Sequence, residues 1–143
     1  MKSIVTSAAL AWIVAQALKV LIGFLRHGSG EKPRALWRII WAGGMPSAHS
    51  ALVTASTLSL FWSCGPQSSL YGFALVMTGV VIYDRSRMFA IYMTFQKKFP
   101  ALEREVRNDP LLQDLVGHRP LEIVVGILIG LGAGLLAHAL LPI

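Results

Sequence analysis

The sequence predicts an all-α fold, an integral membrane bundle of about four transmembrane helices with short interfacial amphipathic helices beside it. Three observations lead there. Of the 143 residues, 55% are hydrophobic and only 14% charged, and the mean hydropathy is +0.61. The apolar residues gather into four stretches that can span or nearly span a hydrocarbon core of roughly 30 Å, which takes about 20 helical residues. The charges gather into two polar segments between those stretches. One domain, residues 1–143, is all this length supports.

The first stretch runs from about Ser3 to Leu25 and is interrupted by Gln16 and Lys19. Lys2 ahead of an apolar core resembles a signal peptide, but no small-x-small cleavage site follows and Lys19 breaks the run, so a retained helix is expected. The second opens in GGMPSAHSA, residues 43–51, and continues to Cys64, where Gly65-Pro66 is a strong stop. The third, SLYGFALVMTGVVIY, is short and is expected to end at Asp84; the fourth runs from Leu121 to Leu141. Between them, residues 26–45 carry Arg26, Lys32, Arg34 and Arg38, with Trp37 and Trp41 suited to an interface. In residues 84–120 the apolar positions Leu102, Val106, Leu111, Leu112 and Leu115 suggest short surface-lying amphipathic helices.

Several classes drop out. The single Cys64 has no partner, so there is no disulfide framework. A net charge of +6 without a soluble basic domain and interleaved aromatics does not point to nucleic acid. Membrane lipids and a phosphorylated lipid fit that charge better.

Four spans put both polar segments on one face and both termini on the other. The polar segments hold 11 of the 13 Lys and Arg residues, against Lys2 at the termini, and that bias predicts a cytoplasmic polar face. The same topology brings the unusual residues to that face. Lys19 and Arg26 close the first span, Ser47 and His49 open the second, Asp84, Arg85 and Arg87 close the third, and His118 and Glu122 open the fourth.

Each residue has a chemical and a plain reading. Lys19 and Arg26 are seven apart, so they share a helix face about 10 Å apart along the axis. A lysine inside an apolar span faces a bundle interior or aqueous cavity, or snorkels to the interface. In the 43–51 stretch Pro46 suits a first helical turn, Gly43 and Gly44 allow close backbone approach, and a helix N-terminus attracts phosphate. His49 would then sit about one turn in, able to protonate a leaving oxygen; the plain alternative is Ser47 or Ser50 capping a helix beside an interfacial histidine. Glu122 can orient His118 as in nucleophilic or acid–base triads, or simply favour the positive end of its helix. Asp84 suggests no role beyond pairing with a neighbouring arginine. Gly126, Gly130 and Gly134 repeat every four residues, and small residues at that spacing let helices approach closely in lipid. The neighbour is either the chain's own helix or a second copy in a homo-oligomer.

Together these residues resemble a family. Lys19-x6-Arg26, Pro46-Ser47-Ala48-His49, Ser86-Arg87 and His118-x3-Glu122 follow the order of the three-part signature of the type 2 phosphatidic acid phosphatase superfamily, K-x6-R-P, P-S-G-H and S-R-x5-H-x3-D. GGMPSAHSA, Tyr83-Asp84 and GHRPLE are closer to its divergent branch, related to vanadium haloperoxidases. The resemblance covers residues 19–130. It implies a lipid phosphate phosphatase in which His118 is the nucleophile, Glu122 orients it, and His49 is the general acid. Lys19, Arg26, Ser47 and either Arg87 or Arg85 would hold the phosphoryl oxygens, with no metal and no cofactor. A prenyl (di)phosphate or a phosphatidate-like molecule would serve as substrate. The rival expectation is a non-catalytic lipid-binding, transport or assembly protein that keeps the fold.

The sequence departs from the pattern in places. His27 replaces the proline after the first arginine, Ala48 replaces glycine, and Glu122 replaces aspartate. Thirty residues separate Arg87 from His118 where the signature has five, and the branch's Y-D-A-x-G-V-R-R is here YDRSRMF. Which of Arg85 and Arg87 meets phosphate is therefore open at this level.

Overall fold

A computed structural model of the chain describes residues 2–27, 44–101, 105–106 and 116–140. Within them lie four helices: α1 (Lys2–His27), α2 (Ala48–Cys64), α3 (Ser69–Lys98) and α4 (Pro120–Leu140). The tryptophan-bearing basic segment, Gly43, and Leu102, Leu111, Leu112 and Leu115 of the amphipathic segment lie outside the described residues, as does the side chain of Arg26. Val106 is buried.

Local chemistry sets the helix ends. The Ser47 hydroxyl caps α2 by accepting the Ser50 N–H at 3.3 Å, so the helix starts at Ala48 and not at Pro46. Pro46 precedes the cap, behind a cis Met45–Pro46 bond and Gly44 at φ +139°, and His49 is the second helical residue rather than one turn in. Gly65, at φ +78°, ends α2, its N–H donating to the Phe61 carbonyl at 3.0 Å. Ser68 caps α3. Pro120 occupies the first position of α4, where its missing N–H costs nothing.

The expected end of the third span at Asp84 is corrected: α3 runs on to Lys98. No glycine or proline lies between Tyr83 and Lys98, and a change of polarity alone does not stop a helix. The 13 residues after Arg85 carry α3 about 20 Å further along its axis.

α2 is the central helix. It packs against α4, α1 and α3, while α1 and α4 also meet and α3 touches α4 only marginally. The core is made of small residues, Ala11, Ala15, Ala48, Ala51, Ala55 and Ala133, with Leu10 and Ile129 against them. Between α2 and α4 the close approach is absolute: a Cβ on Gly126 would collide with the Ser47 carbonyl, one on Gly130 with the Ala51 carbonyl, and one on Gly134 would press on Leu58. The neighbour of the glycine ladder is thus the chain's own α2. Hydroxyls tie the other seams. Ser59 donates to Ser7 at 2.7 Å, and Ser7 to the Ser3 carbonyl at 2.7 Å. Thr57 and Thr78 share a 2.8 Å bond, joining α2 to α3 much as polar side chains join helices in lipid.

The large apolar side chains point the other way. Val5, Phe73, Val76, Leu121, Leu128 and Leu135 are all exposed, the arrangement of a bundle whose surroundings are apolar. Ser3–Gly23 of α1 and Pro120–Leu140 of α4 are long and apolar enough to cross a membrane, with only 22% and 33% of their apolar windows buried, unlike core helices of a soluble domain. Of the four expected spans, these two meet that requirement. α2 has 17 residues, about 26 Å, and the apolar run of α3 is broken by Asp84, Arg85 and Arg87.

Candidate active site

Helix registers bring the polar residues to one level. The Ser7–Ser59 bond, with Ala11 and Ala15 clustered among Ala48, Ala51 and Ala55, makes α1 and α2 antiparallel; twelve residues on from Ser7 is Lys19, and twelve back from Ser59 is Ser47, so equal rises place Lys19 level with Ser47. α4 runs parallel to α2, Gly126 against Ser47 and Gly130 against Ala51. α3 runs antiparallel, with Thr78 on Thr57 and Arg85 on His49. The N-terminal ends of α2 and α4 therefore lie side by side, and the Ser47 N–H donates to the Glu122 carbonyl at 3.0 Å.

His118 is held from three directions. Its Nδ1 meets Glu122 Oε2 at 3.1 Å, and the same oxygen accepts the Arg119 N–H at 3.2 Å. Its own N–H donates to the Arg85 carbonyl of α3 at 3.1 Å. Gly117, at φ +72°, lies so close to α3 that an added Cβ would be 2.6 Å from both the Arg85 carbonyl oxygen and the Phe89 nitrogen. His118 is 4% exposed. This seating bears on the spacing: although 30 residues separate Arg87 from His118 in sequence, the backbone at 117–118 lands on α3 at Arg85.

His49 stands across from it, ring centroids 6.4 Å apart and ring planes inclined at 52°. Arg85 brings a guanidinium nitrogen to 3.5 Å from His49 Nε2. Arg87 is exposed: residues two apart on a helix do not share a face, and it is Arg85 that meets α2. Asp84 is exposed and makes no ion pair among the described residues. The Ser86 hydroxyl bonds the Tyr83 carbonyl within its own helix.

Lys19 is 8% exposed, which fits the interior placement rather than snorkelling. Arg26 lies on α1 about 10 Å beyond it along the axis. Ser47 is fully buried, and its oxygen accepts both the Ser50 N–H and the Ser50 hydroxyl at 3.0 Å. Among the described residues, no group of three or more His, Cys, Asp or Glu is placed to hold a metal ion. Sequence reasoning missed Ser50 as partner of Ser47 and Gly117 as the seat of His118; the glycine immediately before the histidine was the available signal for the latter.

The profile of the Divergent PAP2 family matches residues 1–133. The chain is 29% identical over 144 aligned residues to the uncharacterized membrane protein YuiD of Bacillus subtilis (strain 168), with 87% of each protein covered. No solved structure matches.

Proposed function

The chain belongs to the Divergent PAP2 family, and from that premise we propose that it hydrolyses a phosphomonoester or diphosphate carried by a membrane lipid. The observation that carries this reading is the His118–Glu122 pair facing His49 across 6.4 Å. With Nδ1 engaged by Glu122, Nε2 of His118 is the nitrogen left to attack phosphorus. The P–O bond to the lipid breaks as the P–N bond forms, and His49 gives its proton to the leaving oxygen. A water molecule, deprotonated by His49, then attacks the phosphohistidine, releasing inorganic phosphate and restoring both rings. Lys19 and Arg85, level with the histidines, supply positive charge to the phosphoryl oxygens, as phosphoryl transfer chiefly requires. Arg26 and Ser47 are the further phosphate ligands that the family signature proposes, with Arg85 in the place it leaves open between Arg85 and Arg87. A site at the ends of lipid-facing helices suits a substrate such as a prenyl (di)phosphate or a phosphatidate-like lipid, whose tail stays in the bilayer.

The test is phosphate release from a panel of lipid monophosphates and diphosphates by the purified protein in detergent. Turnover is expected in the wild type and lost in His118→Ala and His49→Ala. A phosphoenzyme that survives alkali and decays in acid, as phosphohistidine does, is expected in the wild type and absent in His118→Ala. Turnover retained by His118→Ala refutes the mechanism. Lipid phosphate binding by a wild type that never turns over assigns the chain to a non-catalytic role.

A further inference from the structure

The apolar surface does not stop at the level of the site. α2 and α4 begin there, whereas α1 and α3 run past it. On α1 the six residues after Lys19, from Val20 to Leu25, carry no charge, and Leu21 and Leu25 are exposed. On α3 no charge lies between Arg87 and Lys97, and Ile91, Met93 and Phe95 are exposed. Two helices on the same side of the site thus show apolar surface where a bundle ending at the catalytic level would meet water. Rings mark the opposite end. Trp62 of α2 stacks on His138 of α4, centroids 4.3 Å apart and planes at 10°, and Phe61 meets Tyr71 of α3 at 5.6 Å, an amphipathic aromatic cluster of the kind that settles at a membrane interface. Trp62 is thirteen residues from His49, and Tyr71 fourteen from Arg85, so this belt lies about 20 Å from the site.

We propose that membrane lipid covers α1 and α3 past the site, so that His49 and His118 lie about 10 Å beneath the nearer membrane surface. A hydrocarbon core of roughly 30 Å, measured from the aromatic belt, reaches about that far beyond the histidines, and cations stand where it ends. Arg26 and His27 close α1 about 10–12 Å past Lys19. α3 attains the same height near Tyr92 and brings out Lys97 and Lys98 about 18–20 Å past Arg85, beyond the headgroup region. Asp84 and Arg87 are the exposed charges on α3 below that surface; three apart, they share a helix face and are opposite in sign. The depth stands apart from any chemistry, while what it selects rests on reading the site as a phosphate site. A lipid meets the histidines by drawing its phosphate below the headgroup plane. In a lipid phosphomonoester or diphosphate the phosphate is the whole headgroup, and the charge drawn in is the one that Lys19 and Arg85 oppose. A phosphodiester brings its second alcohol as well, a polar group taken from water without a partner. The submerged site therefore takes lipids headed by phosphate alone.

Spin labels that collide with oxygen, which concentrates in hydrocarbon, and with a water-soluble nickel chelate measure the depth. Leu21→Cys, Ile91→Cys, Lys98→Cys and Gln67→Cys are labelled in a Cys64→Ser background and the full chain is reconstituted in phosphatidylcholine vesicles. All four side chains are exposed, so a label displaces no packing. The ratio of oxygen to nickel collision is expected to be roughly tenfold higher at Leu21 than at Lys98 or Gln67, because the hydrocarbon core holds no water. Ile91, at the edge of that core, is expected to fall between. Nickel access at Leu21 and Ile91 equal to that at Lys98 overturns the proposal, since the site then sits at the surface. Loss of collision with both reagents at Ile91 overturns it too, since protein, a second copy included, then covers α3. For the selection, phosphate release from a lipid monophosphate in detergent micelles is measured with about tenfold excess of phosphatidylglycerol. An unchanged rate is expected, and inhibition matching that by a second lipid monophosphate overturns the selection. A wild type that releases no phosphate from any lipid brings down the phosphatase reading and the selection with it, and leaves the measured depth standing.

Discussion

Replacing Gly117 by alanine tests whether the seat of His118 on α3 positions the proposed nucleophile. The residue stands at φ +72°, and an added Cβ would lie 2.6 Å from the Arg85 carbonyl oxygen and from the Phe89 nitrogen, and 2.9 Å from Met88 Cβ. The left-handed backbone alone costs a non-glycine residue roughly 1–2 kcal/mol. Helix backbone cannot yield, so the loop must. Moving from 2.6 Å to the 3.0 Å minimum of real Cβ contacts takes 0.4 Å, and to ordinary contact at 3.4 Å takes 0.8 Å. A lift of that size stretches the 3.1 Å bond from the His118 N–H to Arg85, worth about 1 kcal/mol, for a total of roughly 2–3 kcal/mol. Misplacement approaching an ångström costs up to about a hundredfold in rate, so kcat for lipid phosphate release is expected to fall roughly ten- to a hundredfold. Gly65→Ala is the control. It has a similar φ of +78° with nothing within 4 Å of an added Cβ, at the other end of α2. It should lower the melting temperature through backbone strain alone and leave kcat within about twofold of wild type. Wild-type turnover in Gly117→Ala, or equal loss in both variants, refutes the positioning argument.

Four other outcomes are expected. Gly130→Ala places a Cβ 2.5 Å from the Ala51 carbonyl oxygen and 2.7 Å from Thr54 Cβ and should destabilise the detergent-solubilised protein by about 1–3 kcal/mol; Gly132→Ala, into open space on the same helix, should be neutral or gain up to about 1 kcal/mol, as thermal melts will show. Vanadate, which adopts a five-coordinate geometry like that of phosphoryl transfer, should inhibit hydrolysis, roughly tenfold more weakly in Arg85→Ala and within about twofold of wild type in Arg87→Ala. Glu122→Gln keeps an acceptor but loses the charge opposite His118, and single-turnover kinetics should show a fall of roughly 10²–10⁴ with little change in melting. A cysteine at Ser29 in a Cys64→Ser background should react with an impermeant thiol reagent only after permeabilisation, and one at Ile143 before it; the reverse pattern turns the protein over in the membrane.

The fold was legible where composition and local signals coincide. Gly65-Pro66 and Pro120 mark helix ends in the sequence and in the structure. They act through backbone conformation and a missing N–H, which depend on little beyond neighbouring residues. The end of α3 was misread because Asp84, Arg85 and Arg87 end an apolar run without ending a helix; polarity reports surroundings, and only a breaker or a cap reports conformation. Pro46 was misread by two positions: the Ser47 hydroxyl takes the cap, the plainer of the two readings that the stretch allowed, and the helix starts at Ala48. The glycine ladder was visible as a repeat, but its partner was not, because which helix fills it depends on packing between residues almost eighty positions apart.

The site shows the same division more sharply. The resemblance named histidines 49 and 118 and Glu122 from residue type and order, and the structure brings all three together. It left Arg85 and Arg87 undecided, because a signature records spacing along the chain while a contact depends on direction around a helix. Once α3 lies on α2 with Thr78 against Thr57, the next contact toward the site is Arg85 on His49, and Arg87 is turned out by the helical step of two residues. The carbonyl of Arg85 also receives His118. One residue of α3 thus contacts both histidines, its side chain reaching one and its backbone the other, and this joins Arg85 to His118 across a sequence separation that the signature does not have.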